Sequence, residues 1–131
     1  MSKSKKNILN SEILKKGILR LTLNNPENKN ALSTQMMDSL ISAIKNASVN
    51  NEVRVIVIAS KGDTFCSGHD LKEIQEITED EEHKELNLHN LFNLCSSLMQ
   101  LIVQSPKPVI AEVAGIATAA GCQLVASCDL A

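Results

Sequence analysis

The rhythm of apolar and polar positions changes several times along the chain, and each change marks an element. Leu19, Leu21 and Leu23 alternate with Arg20 and Thr22, which predicts a strand over 17–23 with Ile18 outside its register. The following loop at 24–30, NNPENKN, is made of turn formers. Met36, Met37, Leu40, Ile41 and Ile44 recur at helical spacing. They predict a helix with one apolar face, opened by Ser33 as N-cap and fraying at 47–48. Residues 53–60 are almost continuous in β-branched side chains, the pattern of a strand buried on both faces. A helix between two strands points to a crossover unit and so to an α/β fold.

The second half continues the alternation. Residues 61–71 are turn-rich and follow a strand end, where α/β proteins tend to place ligands. The acidic run over 73–85 reads as a solvated helix followed by a mobile loop. Leu91, Leu94, Leu98, Leu101 and Ile102 share one side of a helix predicted over 86–103, which Ser105-Pro106 stops. A strand is expected over 108–113. Small residues then dominate 114–121, and Leu124-Val125-Ala126 returns to helical character. A strand, a small-residue turn and a helix start would together aim unpaired N–H groups outward, and small side chains would let a ligand approach the backbone. A tight turn in an α/β core with no ligand fits the local pattern equally well. Residues 1–11 read as a disordered tail, and 12–131 as one folded unit without repeats.

Composition narrows the function classes. With 131 residues, 44% of them hydrophobic, the chain can build one real core. A net charge of -2 gives no bias toward nucleic acid or a membrane surface. The only phenylalanines are Phe65 and Phe92, with no Trp or Tyr, which argues against base-stacking platforms. Cys66, Cys95, Cys122 and Cys128 form no CxxC pair and have no His at metal-ligand spacing, so no metal site is expected and buried free thiols are. No apolar run reaches the roughly 20 residues of a membrane span. The basic start, MSKSKKN, makes neither a secretory signal nor an Arg-rich presequence. Gly68 can supply an unusual backbone angle beside His69, but a lone His next to a turn serves structure more often than catalysis.

Three blocks stand in order: LTLNNPENKNALS, FCSGHDLKEI and KPVIAEVAGIATAAGCQLVASCDLA. Together, from about Gly17 to the last residue, they resemble the crotonase family, also called the enoyl-CoA hydratase/isomerase family. The last block is most similar to a branch that is not a typical hydratase. The resemblance implies an α/β spiral of ββα turns (ClpP/crotonase-like), of which this chain would be the N-terminal portion. It implies an acyl-CoA thioester as substrate or ligand and no other cofactor. Two backbone N–H groups, those of His69 and Ala120, would receive the thioester oxygen. Ser67, Gly68, Asp70, Leu71 and Lys72 would line the pantetheine and acyl path, and Lys29 and Ala31 would sit near the adenine and phosphate end.

One position departs from the pattern. The family's hydratases carry a glutamate directly after the Gly-Cys pair, and Gln123 stands there, after Gly121-Cys122. A neutral amide cannot exchange a proton as a carboxylate does. No catalytic side chain is therefore assigned, and the family's second glutamate falls beyond Ala131. As the N-terminal portion of a domain, the chain is expected to expose apolar surface and self-associate, in a family of trimers and hexamers. The cytoplasm is the expected compartment, with mitochondria as the alternative. An enolate-stabilising enzyme, a non-catalytic acyl-CoA binder and a self-associating fragment all remain open.

Overall fold

The computed structural model describes residues 7–131. The part of the expected tail at 1–6 lies outside the described residues. The rest of that tail is a correction: β1 (Leu9–Leu14) pairs antiparallel with β2 (Ile18–Leu23), from Leu9 opposite Leu23 to Leu14 opposite Ile18. Ile8 is buried, and its carbonyl accepts from the Asn24 N–H at 2.7 Å. Asn10, Ser11 and Glu12 hide this edge strand because they break the apolar alternation. A tight turn at Lys15–Gly17, with Lys16 and Gly17 both at positive φ, closes the hairpin.

From β2 the chain crosses through α1 (Thr34–Ser48) to β3 (Val55–Ser60), parallel to β2. Next come β4 (Thr64–Cys66), α2 (Leu71–Glu79) and α3 (Lys84–Val103). β5 (Val109–Ala111), β6 (Ile116–Ala117) and α4 (Ala120–Ser127) complete the order. The main sheet runs β1-β2-β3-β5, and β4 and β6 form a second, two-stranded parallel sheet. Ser33 caps α1 by accepting from the Met36 N–H at 3.1 Å, and Met36, Met37, Leu40 and Ile44 turn inward. Leu91, Cys95, Leu98, Met99 and Ile102 of α3 meet the same core, as do Leu19, Leu21, Leu23, Ile56, Ile58 and Val109 of the sheet. The other face of the sheet is less covered. Val55 and Val57 are only half-buried, so β3 is not buried on both faces as its composition suggested.

Candidate functional site

Three loops meet at the ends of the strands, and backbone bonds hold them together. The Ser67 N–H donates to the Lys29 carbonyl at 3.2 Å, and the Leu32 N–H donates to the Gly68 carbonyl at 2.7 Å. The Thr118 N–H reaches the Cys66 carbonyl at 3.0 Å. Small residues make the third contact possible. A Cβ on Gly115 would lie 2.3 Å from the Asp63 carbonyl oxygen, and one on Gly121 would lie 2.2 Å from that of Cys66. The small-residue run therefore lies backbone to backbone along 63–68, and both glycines are required by this close approach.

At the centre of the junction sits Gly68, with φ at +91°. A Cβ placed there would come within 3.0 Å of both the Ala119 Cβ and the Ala120 nitrogen. Ala119 itself holds φ at +50°, a strained setting for a residue with a side chain. The Gly68 N–H bonds to the Cys66 sulfur, and Leu32 bridges to His69 in parallel fashion. Such a bridge uses the carbonyl before His69 and turns the N–H of His69 to the opposite side. Ala120 opens α4, where the first N–H groups have no helical partner. Among the described residues neither the His69 nor the Ala120 N–H donates a hydrogen bond.

Beside this junction, Lys29, Ala31, Ser67, Asp70, Leu71 and Lys72 line one groove of about 250 Å³, together with Glu27 and Asn28. Six residues singled out in the sequence thus share one surface, while His69 and Ala120 lie outside its lining. Leu71 and the two lysines are exposed, and Ala31 is buried. Asp70 works as the N-cap of α2, accepting from the Lys72 N–H at 3.0 Å, and its other oxygen takes the Asn28 amide at 3.1 Å. Gln123 is exposed in the first turn of α4, and among the described residues its backbone alone is hydrogen-bonded.

Sequence reasoning passed over several residues that shape the site. Asn30 is fully buried at φ +52°, donating to the carbonyls of Lys61 at 2.9 Å and Thr64 at 2.8 Å. It also accepts from the Asn25 N–H at 2.8 Å, so one side chain ties the Lys29 loop to the end of β3. Its signal was an Asn among turn formers, which is ambiguous because a solvated turn uses the same residue. Glu73, read as part of a solvated acidic run, instead accepts from the Thr34 N–H and hydroxyl at 3.0 Å each and fixes the start of α1. The His69 ring meets Phe92 edge-on, and burial lowers its pKa against a smaller opposing pull from Glu73. All four cysteines are free, but Cys122 is exposed, which corrects the expectation of buried thiols throughout. Burial pushes the Cys66 thiol up to about 11, lessened by the Gly68 bond and raised further by Cys95. Among the described residues no cluster of His, Cys, Asp or Glu is placed to hold a metal ion, and no helix is long and apolar enough to cross a membrane.

Comparison with known proteins gives one consistent result. A family model described as enoyl-CoA hydratase/isomerase matches residues 14–131. The mitochondrial enoyl-CoA hydratase domain-containing protein 3 of Xenopus laevis is 50% identical over 115 residues, covering 88% of this chain and 37% of that protein. Its Homo sapiens counterpart is 48% identical over 115 residues, covering 88% and 36%. The crystal structure of the human protein superposes with a TM-score of 0.84 at 44% identity, over 94% of this chain and 46% of that one. An enoyl-CoA hydratase of Mycobacterium smegmatis gives 0.87 at 43% identity, over 95% and 47%. The chain thus spans less than half the length of these relatives.

Proposed function

This chain belongs to the enoyl-CoA hydratase/isomerase family, and from that membership we propose that it binds an acyl-CoA thioester at the three-loop junction. The His69 and Ala120 N–H groups receive the thioester oxygen. The groove beside them takes the pantetheine arm along Ser67, Asp70, Leu71 and Lys72, with Lys29 and Ala31 toward the nucleotide end. A charge placed on the carbon next to a thioester spreads onto its oxygen, and fixed donors aimed at that oxygen stabilise the enolate most. The start of α4 adds the positive end of its dipole. The observation that supports the reading is the close approach of Gly68, the residue before His69, to the Ala120 nitrogen, with neither the His69 nor the Ala120 N–H bonded among the described residues.

Gln123 limits the chemistry. A hydratase must move protons to and from water, and a neutral amide can only orient water or substrate. In a longer protein, isomerisation, hydrolysis or decarboxylation through the same enolate fits these residues better than hydration. The exposed Gln123 side chain also favours a second reading, a binder that stabilises the thioester without turnover. Kinship with mitochondrial proteins favours mitochondria over the cytoplasm.

Calorimetric titration of the 131-residue chain with acetyl-CoA tests the reading. Saturable binding is expected, and Gly68→Val should abolish it, because a side chain there meets the Ala120 nitrogen and strains a positive φ. A folded wild-type chain that ignores acetyl-CoA, or a Gly68→Val variant that binds as tightly, would sink the proposal.

A further inference from the structure

The cleft between α2 and α3 takes no part in the thioester reading. It holds a hollow of about 570 Å³, which shares no lining residue with the groove that runs from Lys29 to Lys72. Helical spacing makes its walls. Asn87, Asn90, Leu91 and Leu94 stand at i, i+3, i+4 and i+7 on α3, and Glu73 and Ile77 stand at i and i+4 on α2, so each helix lines the hollow with one face. Leu91 is buried, and Ile77 and Leu94 are half-buried. Apolar walls with a few polar groups, at this volume, are the make-up of a small-molecule site.

One carboxylate interrupts the apolar wall. Glu73 is half-buried, and its Oε1 accepts from the Thr34 N–H and hydroxyl at 3.0 Å each. Its Oε2 has a single 3.3 Å contact among the described residues, with the same N–H, although each carboxylate oxygen can accept twice. Among the described residues no cation pairs with Glu73. A second hollow shares Thr34 and Glu73 with the first and is bordered by the Asp38 carboxylate. Among the described residues no lysine, arginine or histidine lines either hollow. A half-buried carboxylate without a counter-charge favours a cation beside it, because pairing recovers part of the cost of leaving water.

We infer that the α2–α3 hollow binds a protonated primary amine with a short alkyl body, the ammonium at Glu73 and the chain against Ile77, Leu91 and Leu94. An ammonium brings three donors and one positive charge, and Glu73 Oε2 accepts one of those donors in a charge-assisted bond. A carboxylate or phosphate head group is excluded, since it would meet Glu73 and Asp38 as a like charge.

Calorimetric titration of the 131-residue chain with hexylammonium, hexan-1-ol and hexanoate tests this, because the three share one chain and differ in the charge of the head group. Hexylammonium is expected to bind at least about tenfold tighter than hexan-1-ol, and hexanoate more weakly than either. Ethylammonium should bind at least about tenfold more weakly than hexylammonium, as its shorter chain covers less of the apolar wall. Glu73→Gln keeps an oxygen for Thr34 and removes only the charge. It should weaken hexylammonium about tenfold and leave hexan-1-ol within about twofold of wild type. Methyl NMR shifts at Ile77, Leu91 and Leu94 locate the ligand. Absence of hexylammonium binding, equal affinity for the alcohol or the carboxylate, or shifts confined to other residues would overturn the inference. So would displacement of hexylammonium by octanoyl-CoA, which would make the hollow part of the thioester site. The comparison of ligands on the wild-type chain decides the matter even where Glu73→Gln fails to fold, and acetyl-CoA binding is read separately from it.

Discussion

Asn30 shows how much one side chain can decide. It has no exposed surface, and its amide serves three backbone groups on two segments. It also occupies the left-handed region, which Asn tolerates better than most residues. Alanine there would leave the Lys61 and Thr64 carbonyls and the Asn25 N–H without their partner, and would add backbone strain. Asn30→Ala is expected to cost roughly 2–4 kcal/mol, read as a lower urea midpoint. Asn30→Gly removes the same bonds without the strain and should lose less. Equal stability of Asn30→Ala and wild type would show that the loop is held elsewhere. None of this was visible in NNPENKN, because a buried, triply bonded Asn and a solvated turn Asn have the same letter. His69 was visible for its backbone position only. Its ring partner, Phe92, lies 23 residues away in sequence (92 minus 69), and no local pattern joins them.

At the scale of elements, legibility followed the strength of the period. Ser33, Met36, Met37, Leu40 and Ile44 specified α1 to its cap, and Leu19, Leu21 and Leu23 specified the buried side of β2. The short strands β4 and β6 were missed, because three and two residues cannot show an alternation. They are made by backbone approach at Gly115, a property of the partner segment and not of either sequence alone. α4 was legible as a helix, and its first turn carries no acidic residue. Gln123→Glu would put a carboxylate near the positive end of that helix, in an exposed position that needs no repacking. The expected outcome is a stabilisation of about 0.3–1 kcal/mol, seen as a higher thermal midpoint that fades with salt. Crotonyl-CoA hydration should stay absent from the variant, since Asp70 and Glu73 are already engaged as helix caps and one free carboxylate does not complete the proton transfers. Turnover by Gln123→Glu alone would instead place the whole deficit at this residue.

Across the whole molecule, the sheet is covered unequally. α1 and α3 bury one face, while Ile18, Val55, Val57 and Ile110 of the other are only half-buried. That face carries the Arg20–Glu112 ion pair, which joins β2 to the residue after β5. Apolar side chains are also exposed after β5: Val113 is 40% exposed, Ile116 63% and Leu130 65%. Leu130 itself lies alongside Ile110 of β5 in an isolated parallel bridge, and Ile116 belongs to β6 of the second sheet. Exposed apolar groups favour association, because burying them against a second copy removes them from water. Light scattering at micromolar concentration is expected to give a mass above the 14.2 kDa of one chain. The double variant Ile116→Lys with Leu130→Lys should shift it toward that value, as a charge at each position makes its burial unfavourable. A wild-type chain that stays at one-chain mass throughout would mean that the half-covered sheet is stable in water. Association that survives both lysines would place the contact on another face, and the partly buried Val55, Val57 and Ile110 would be the next positions to charge.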